Sequence, residues 1–259
     1  MTPQSCVSLQ ELEDVLTNVQ NRKLLRELID EKEDCIGSYS CASLLRQITQ
    51  RPGIGMLRKS LYETITPFVD GFLKRSSTTP VFIRNARVND DLPPTAKAVY
   101  RTENNFSMVQ PRRTIIVGKD FCGYQPEEVL SHEYAHHHQE ECEFFTGLKM
   151  QSTPERFVSH TFKEGHAVGV EFAALRALIQ PKLPLVEAEQ LVYLYPAARL
   201  LENMKLNHQK FTSDSNSEPS LLLHEHTYIL GHALFAIAEL KHGPSIYAES
   251  LRNPRVVLE

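Results

Sequence analysis

The sequence predicts an α+β fold in which short strands lie between two regions of helix. Apolar residues recur every three or four positions in the first 73 residues and again after residue 126, which is the period of amphipathic helices. Between residues 81 and 118, short runs rich in β-branched residues predict strands instead. We therefore predict an N-terminal helical region over residues 1–78, a strand-bearing lobe over 79–180 and a C-terminal helical lobe over 181–259.

Two helical stretches precede the strands. The first covers residues 8–50, and Ser8 with Glu11 three residues later predicts a capping box at its start. The second covers residues 56–73 and ends at the polar run 74–80, which breaks the helical pattern. The apolar positions that give the first stretch its period are Leu9, Leu12, Val15, Leu16, Val19, Leu24, Leu25 and Leu28.

The strands are predicted at residues 81–83, 98–100 and 114–118, the last being the clearest because it is β-branched and closes on a glycine. Further helices follow. Pro126 suits the first turn of a helix that runs to about residue 145. The remaining helices are predicted over residues 157–180, over 185–206 with a kink at Pro196, and over 220–241, with a polar surface loop at 207–220.

Composition excludes several classes of function. The formal net charge is -4 and Lys and Arg are scattered, so the sequence predicts no nucleic-acid partner. The longest apolar runs, such as 233–238, are far shorter than the ~20 residues that span a bilayer, so no membrane partner is expected. Five cysteines, an odd number without a Cys-x-x-Cys pair or a recognisable secretory signal, predict free thiols in the cytoplasm.

The segment His132-Glu133-Tyr134-Ala135-His136 carries the chemistry. Two histidines four residues apart lie on one face of a helix, so their ring nitrogens can bind one ion at about 2.0–2.1 Å. Glu133 lies about 100° around the helix, where it can reach a water on that ion without binding the ion itself. The pattern predicts a Zn²⁺ site with His132 and His136 as ligands and Glu133 as general base.

A catalytic zinc site needs a third protein ligand. Glu164 is the best candidate, with 27 residues between it and His136, and the small residues Gly165 and Ala167 are expected to let its helix approach the His132 helix. Glu171 lies two turns further on the same face and is expected to accept the other ring N–H of a ligand. If the intervening segment does not return to the site, Glu171 becomes the alternative third ligand.

These motifs resemble the gluzincin class of zinc metallopeptidases, which includes thermolysin-like enzymes and an aminopeptidase group. The residues that carry the resemblance are His132-Glu133-x-x-His136 and Glu164-Gly165-x-Ala167-x-x-x-Glu171. The resemblance covers roughly residues 81–254 and implies a zincin-like fold with a small mixed sheet, active-site helices and a C-terminal helical lobe. It also implies that Glu164 is the third zinc ligand. Residues 1–75 match no family.

A weaker resemblance concerns the last long helix, where Tyr228-x-x-Gly231-x-x-Leu234 is similar to the final helices of several gluzincin families. Such enzymes commonly supply a donor to the carbonyl oxygen from this lobe, which makes Tyr228 or His232 the candidate. Packing of a half-buried helix is the alternative for both side chains.

The predicted function is therefore that of a zinc metallopeptidase that cleaves a peptide or protein substrate. Three alternatives stay open: a catalytically inactive zincin-fold protein with a binding or regulatory role, a zinc hydrolase acting on a non-peptide bond, and a structural histidine cluster without metal. The sequence does not distinguish exo- from endopeptidase action and does not give the oligomeric state.

Overall fold

The computed structural model describes residues 7–36, 53–88, 90, 92, 97–103, 112–118, 126–142, 152–178, 183–203 and 221–259. The predicted loop at 207–220 and the end of the first helical stretch, beyond residue 36, lie outside these residues. Among the described residues, no helix is long and apolar enough to cross a membrane.

The N-terminal region begins with two helices, α1 (Leu9–Thr17) and α2 (Val19–Ile36). The predicted capping box is confirmed, because the Ser8 hydroxyl accepts the Glu11 N–H while the Glu11 carboxylate accepts the Ser8 N–H. The apolar faces of both helices are buried in the core. These helices therefore belong to the main body of the fold.

The second helical stretch is not one regular helix. It consists of α3 (Ile54–Ser60), a π-helical turn (Leu61–Ile65) and α4 (Thr66–Phe72). The N–H of Thr66 bonds to the carbonyl of Leu61, five residues earlier. Pro67 follows directly, has no N–H to donate and would crowd the preceding carbonyls of a regular helix. The wider turn before it lets the helix continue through the proline.

Three strands form a mixed sheet in the order β1-β3-β2, with β1 at Val81–Asn85, β2 at Ala98–Glu103 and β3 at Arg112–Val117. All three predicted strands are confirmed. Strand β3 is central and pairs in parallel with β1 and antiparallel with β2. Its last residues are buried, as expected of a strand with neighbours on both sides and helices packed against it.

The C-terminal half consists of helices that pack on one another. They are α5 (Pro126–Glu141), α6 (Thr153–Leu178), α7 (Leu183–Asn203), α8 (Leu221–His242) and α9 (Ile246–Ser250), followed by a 3₁₀ turn at Pro254–Leu258. Pro126 begins α5 as predicted, and Pro196 lies inside α7. Helix α5 packs between the sheet and α6, and α6 packs against α8. This arrangement buries both faces of α5.

One buried cluster contains residues from all three predicted regions, including Leu12, Ile115 and Leu234. The proposed boundaries at residues 78 and 180 stay a prediction. The cluster shows that the described parts of these regions share a core.

Helices α6 and α8 approach each other to backbone contact at Gly165 and Gly231. A Cβ built on Gly165 would lie 2.2 Å from the carbonyl oxygen of Gly231, and a Cβ on Gly231 would lie 2.2 Å from the carbonyl oxygen of Thr161. The expectation that Gly165 lets its helix approach the His132 helix was therefore wrong. The missing side chain admits the final long helix rather than α5.

Replacing Gly231 with Ala is expected to lower the free energy of unfolding by about 1–3 kcal/mol or more, because the new methyl group meets backbone atoms that cannot rotate away. Urea denaturation gives the measurement. Gly71→Ala is the control, since Gly71 is an exposed helical residue with nothing within 4 Å of a built Cβ. That control should match the wild type or gain up to about 1 kcal/mol. Equal midpoints for the two variants would contradict the proposed tight crossing.

Candidate metal centre

Helix α5 carries the two histidines and the glutamate of the sequence motif to the centre of the molecule. His132 and Glu133 are each 8% exposed, and Glu164 on α6 is also 8% exposed. Charged and polar side chains are seldom buried to this degree without a partner. The helix therefore presents a polar cluster inside an apolar core.

The side chains of His132, His136 and Glu164 converge on one point. The two Nε2 atoms lie 3.2 Å apart, and the Oε2 atom of Glu164 lies 3.3 Å from each of them. The three donor atoms thus form a nearly equilateral triangle. The structure brings together the three residues that the sequence predicted as metal ligands.

The second ring nitrogen of each histidine has its own partner. Nδ1 of His132 lies 3.0 Å from the carboxylate of Glu171, and Nδ1 of His136 lies 2.9 Å from the amide oxygen of Gln139. Both partners are acceptors, so both Nδ1 atoms carry the proton of the neutral ring. The Nε2 atoms then face Glu164 with lone pairs. Glu171 stands where the sequence placed it, behind the ring of His132.

The triangle matches the donor set of a catalytic zinc site. Three ligands of a tetrahedral ion at about 2.0–2.1 Å lie about 3.3–3.4 Å from one another, which agrees with the observed edges. The Oε2 atom of Glu164 is buried without a hydrogen-bond partner. While both imidazoles are neutral, the lone pairs of these three atoms repel one another at this spacing unless a cation, either a proton or a metal ion, lies between them.

The pKa values show that the site stabilises positive charge. Burial by itself lowers the pKa of His132, but the carboxylates of Glu164 and Glu171 raise it well above its usual value. The pKa of His136 is also raised, with Glu164 opposing the effect of burial. The pKa of Glu164 lies well below its usual value, because the effect of the two imidazoles exceeds that of burial.

Glu133 lies beside the triangle and bonds to the sheet. Its Oε2 atom accepts the backbone N–H of Tyr100 on β2 at 2.6 Å. Burial raises the pKa of Glu133, and the two nearby imidazoles oppose that rise. A buried carboxylate with a raised pKa is a more effective proton acceptor than an exposed one.

Strand β2 is held on α5 by a second carboxylate, which the sequence reasoning missed. Glu140 accepts the hydroxyl groups of both Tyr100 and Thr102, the latter at 2.6 Å. The Tyr100 hydroxyl also lies 3.1 Å from Nδ1 of His137. These bonds determine how close β2 approaches α5, and they place the Tyr100 N–H on Glu133.

The two candidate donors on α8 have different surroundings. The ring of Tyr228 stacks on His132, with centroids 5.9 Å apart and planes 10° apart, and its hydroxyl bonds to Glu164. His232 instead accepts from the amide of Gln190 at 2.8 Å and packs against Phe172 and Tyr193. Tyr228 is therefore the candidate that reaches the cluster, and the contacts of His232 favour the packing alternative.

The histidines next to the motif have structural partners. Nε2 of His137 lies 2.5 Å from the Ser77 hydroxyl, and Nε2 of His138 lies 2.9 Å from Asp70. Both rings are fully buried. Both side chains therefore pack α5 against its neighbours. Within the described residues, the group that can hold a metal ion is the triangle of His132, His136 and Glu164.

Comparison with known proteins adds no relative, since no protein-family model, no curated protein sequence and no solved structure matches the chain. The family resemblance therefore stays a prediction. Function is therefore inferred from the geometry of the cluster.

His232 provides a test of the packing around the site. Burial lowers its pKa to about 3, and Arg176 and Lys32 add to the effect, while Glu187 pairs with both of these cations. A buried histidine that stays neutral adds to the free energy of unfolding. That contribution is complete above the unfolded pKa of about 6.5 and is lost as the pH falls toward 3.

We expect the wild type to lose about 2 kcal/mol more unfolding free energy than His232→Gln between pH 7 and pH 5. Urea denaturation at both pH values measures the difference. Equal losses in the two proteins would show that His232 does not take up a proton on unfolding.

Proposed function

We propose that this protein is a zinc-dependent hydrolase of the gluzincin type, and that it cleaves peptide bonds. The observation that carries the proposal is the triangle of Nε2 of His132, Nε2 of His136 and Oε2 of Glu164, which converge at 3.2–3.3 Å from one another. Two imidazoles and one carboxylate are the donor set of thermolysin-like catalytic zinc sites, which leave a fourth position for water or substrate. The mixed sheet beside α5 and the helices that follow support a zincin-like fold.

The chain's own residues supply the remaining steps. Zinc, when bound, polarises a carbonyl group and lowers the pKa of a water molecule to about 7. Glu133 accepts a proton from the attacking water and passes it to the leaving amine. Tyr228 lies over His132 and bonds to Glu164. Its hydroxyl group donates a hydrogen bond to the substrate's carbonyl oxygen as that oxygen gains negative charge.

A peptide or protein substrate is favoured by the position of β2. Among the described strands, β2 has a neighbour on one side, β3. The N–H of Tyr100 points away from that neighbour toward Glu133, so the outer edge of β2 faces the site. The outer edge of a strand can pair with an extended peptide. We also propose the reducing cytoplasm as its compartment, since Cys142 is a buried free thiol.

The metal proposal predicts about one zinc per chain after dialysis, measured by elemental analysis. Glu164→Gln keeps the size of the side chain but removes its charge, and we expect it to lose the metal. Glu171→Gln removes only the partner of His132 and should weaken zinc binding about 10–100-fold. Glu202→Gln, on the exposed face of α7, is the control and should retain zinc.

Two results would contradict this assignment. A wild-type protein without metal would remove the zinc site altogether. A Glu164→Gln variant that keeps its zinc, beside a Glu171→Gln variant that loses it, would make Glu171 the third ligand.

The role of Glu133 is tested by Glu133→Gln. Zinc content should stay at the wild-type level because Glu133 lies outside the triangle, whereas cleavage of a mixed peptide library should fall about 10²–10⁴-fold. Glu127→Gln, on the same helix, should cleave like the wild type. Undiminished turnover in Glu133→Gln would exclude it as the base. Zinc binding without cleavage in the wild type would favour the regulatory alternative.

A further inference from the structure

Gln139 connects the metal-binding face of α5 to helix α6. It lies three residues after His136, and it is 2% exposed. Its side chain makes three contacts: its oxygen lies 2.9 Å from Nδ1 of His136, and its nitrogen lies 2.8 Å from the carbonyl of Lys163 and 3.1 Å from Nδ1 of His166. The amide therefore uses both of its hydrogens and its acceptor oxygen.

The Lys163 carbonyl determines which way the amide points. A backbone carbonyl can only accept, so the amide nitrogen must face it. The oxygen of Gln139 then faces His136, which makes Nδ1 of that ring the donor. Nε2 of His136 is left with a lone pair directed at the triangle. One backbone group on α6 thus determines the tautomer of a side chain on α5.

On the side away from His136, the Gln139 amide bonds to His166. Nδ1 of His166 accepts from Gln139, so its Nε2 carries the proton, and Nε2 lies 3.0 Å from the backbone carbonyl of Tyr247. His166 is fully buried. The chain of bonds from His136 through Gln139 and His166 ends on backbone, so each hydrogen in it has a defined position.

Lys163 directly precedes Glu164. An amide that holds the Lys163 carbonyl and the His136 ring at once therefore spans the two helices beside the point where their ligands meet. His132 has a different support, since its partner Glu171 is a charged carboxylate on α6. Each histidine is thus tied to the glutamate-bearing helix, one by a carboxylate and the other by an amide.

We propose that Gln139 is the positioning residue for His136, a role that nothing in the sequence motif assigns. It sets the tautomer and ring orientation of His136 and keeps that ring aligned with Glu164. This inference depends on the proposed zinc site. It concerns metal affinity, which is measured without reference to any substrate.

The test compares Zn²⁺ dissociation constants of the full chain, determined by competition with a chromophoric chelator. Gln139→Met keeps the length of the side chain but removes its acceptor and donors, and we expect it to bind Zn²⁺ about 10–100-fold more weakly. Gln139→Glu keeps an acceptor for His136 and should remain within about tenfold of the wild type. The visible spectrum of the Co²⁺-substituted protein should change in the Met variant, because the orientation of one ligand is lost.

Gln190→Met is the matched control. Gln190 is also buried, at 3% exposed, and its amide also bonds to a histidine ring, that of His232. It should lose stability without losing zinc affinity. Urea denaturation of all variants separates the two effects.

Three results would overturn the inference: a Met variant that binds within threefold of the wild type, a Glu variant as weak as the Met variant, or a Gln190→Met variant that is equally weakened. Failure of the wild type itself to bind Zn²⁺ would instead remove the proposed function. The two kinds of failure are therefore distinguishable.

Discussion

The site depends on the contact between the backbones of α6 and α8 at Gly165 and Gly231. Because neither residue has a side chain, the two helices approach until the space that a Cβ would need on one is filled by backbone of the other. Glu164 is the neighbour of Gly165, and Tyr228 lies one turn before Gly231. The crossing therefore places the Tyr228 hydroxyl on Glu164 and its ring over His132. A larger residue at either glycine would separate the two helices.

The second constraint is electrostatic. Two imidazoles and two carboxylates, those of Glu133 and Glu164, lie together in a largely buried region. Burying an unpaired charge costs several kcal/mol, so such a cluster persists only where positive and negative groups compensate one another. The raised pKa values of both histidines and the lowered pKa of Glu164 show that the cluster favours added positive charge. The proposed divalent ion would satisfy that demand and would give Oε2 of Glu164 a partner.

The polar residues of α5 explain why this helix has almost no apolar stripe. His137 bonds to Ser77 and Tyr100, His138 bonds to Asp70, and Glu140 bonds to β2. Such a helix is predicted poorly by hydrophobic period, because several of its buried polar side chains bond to partners distant in sequence. Its beginning was nevertheless predictable from Pro126, since the first turn of a helix depends on local chemistry. The π turn before Pro67 was not predicted, because a proline at that position is equally compatible with the end of the helix.

The sequence by itself determined what depends on neighbouring residues: the capping box at Ser8, the strands, and the pairing of His132 with His136, because a spacing of four residues puts two side chains on one helix face wherever that helix lies. The spacing of Gln139 from His136 is equally local and was available as a signal. Only the tertiary structure decided the rest. In the folded chain, Glu164 lies beside the two imidazoles, and Tyr228 rather than His232 reaches the cluster. Gly165 contacts α8. The physical reason is that these outcomes depend on how helices rotate and cross, which is determined by packing between segments far apart in the chain.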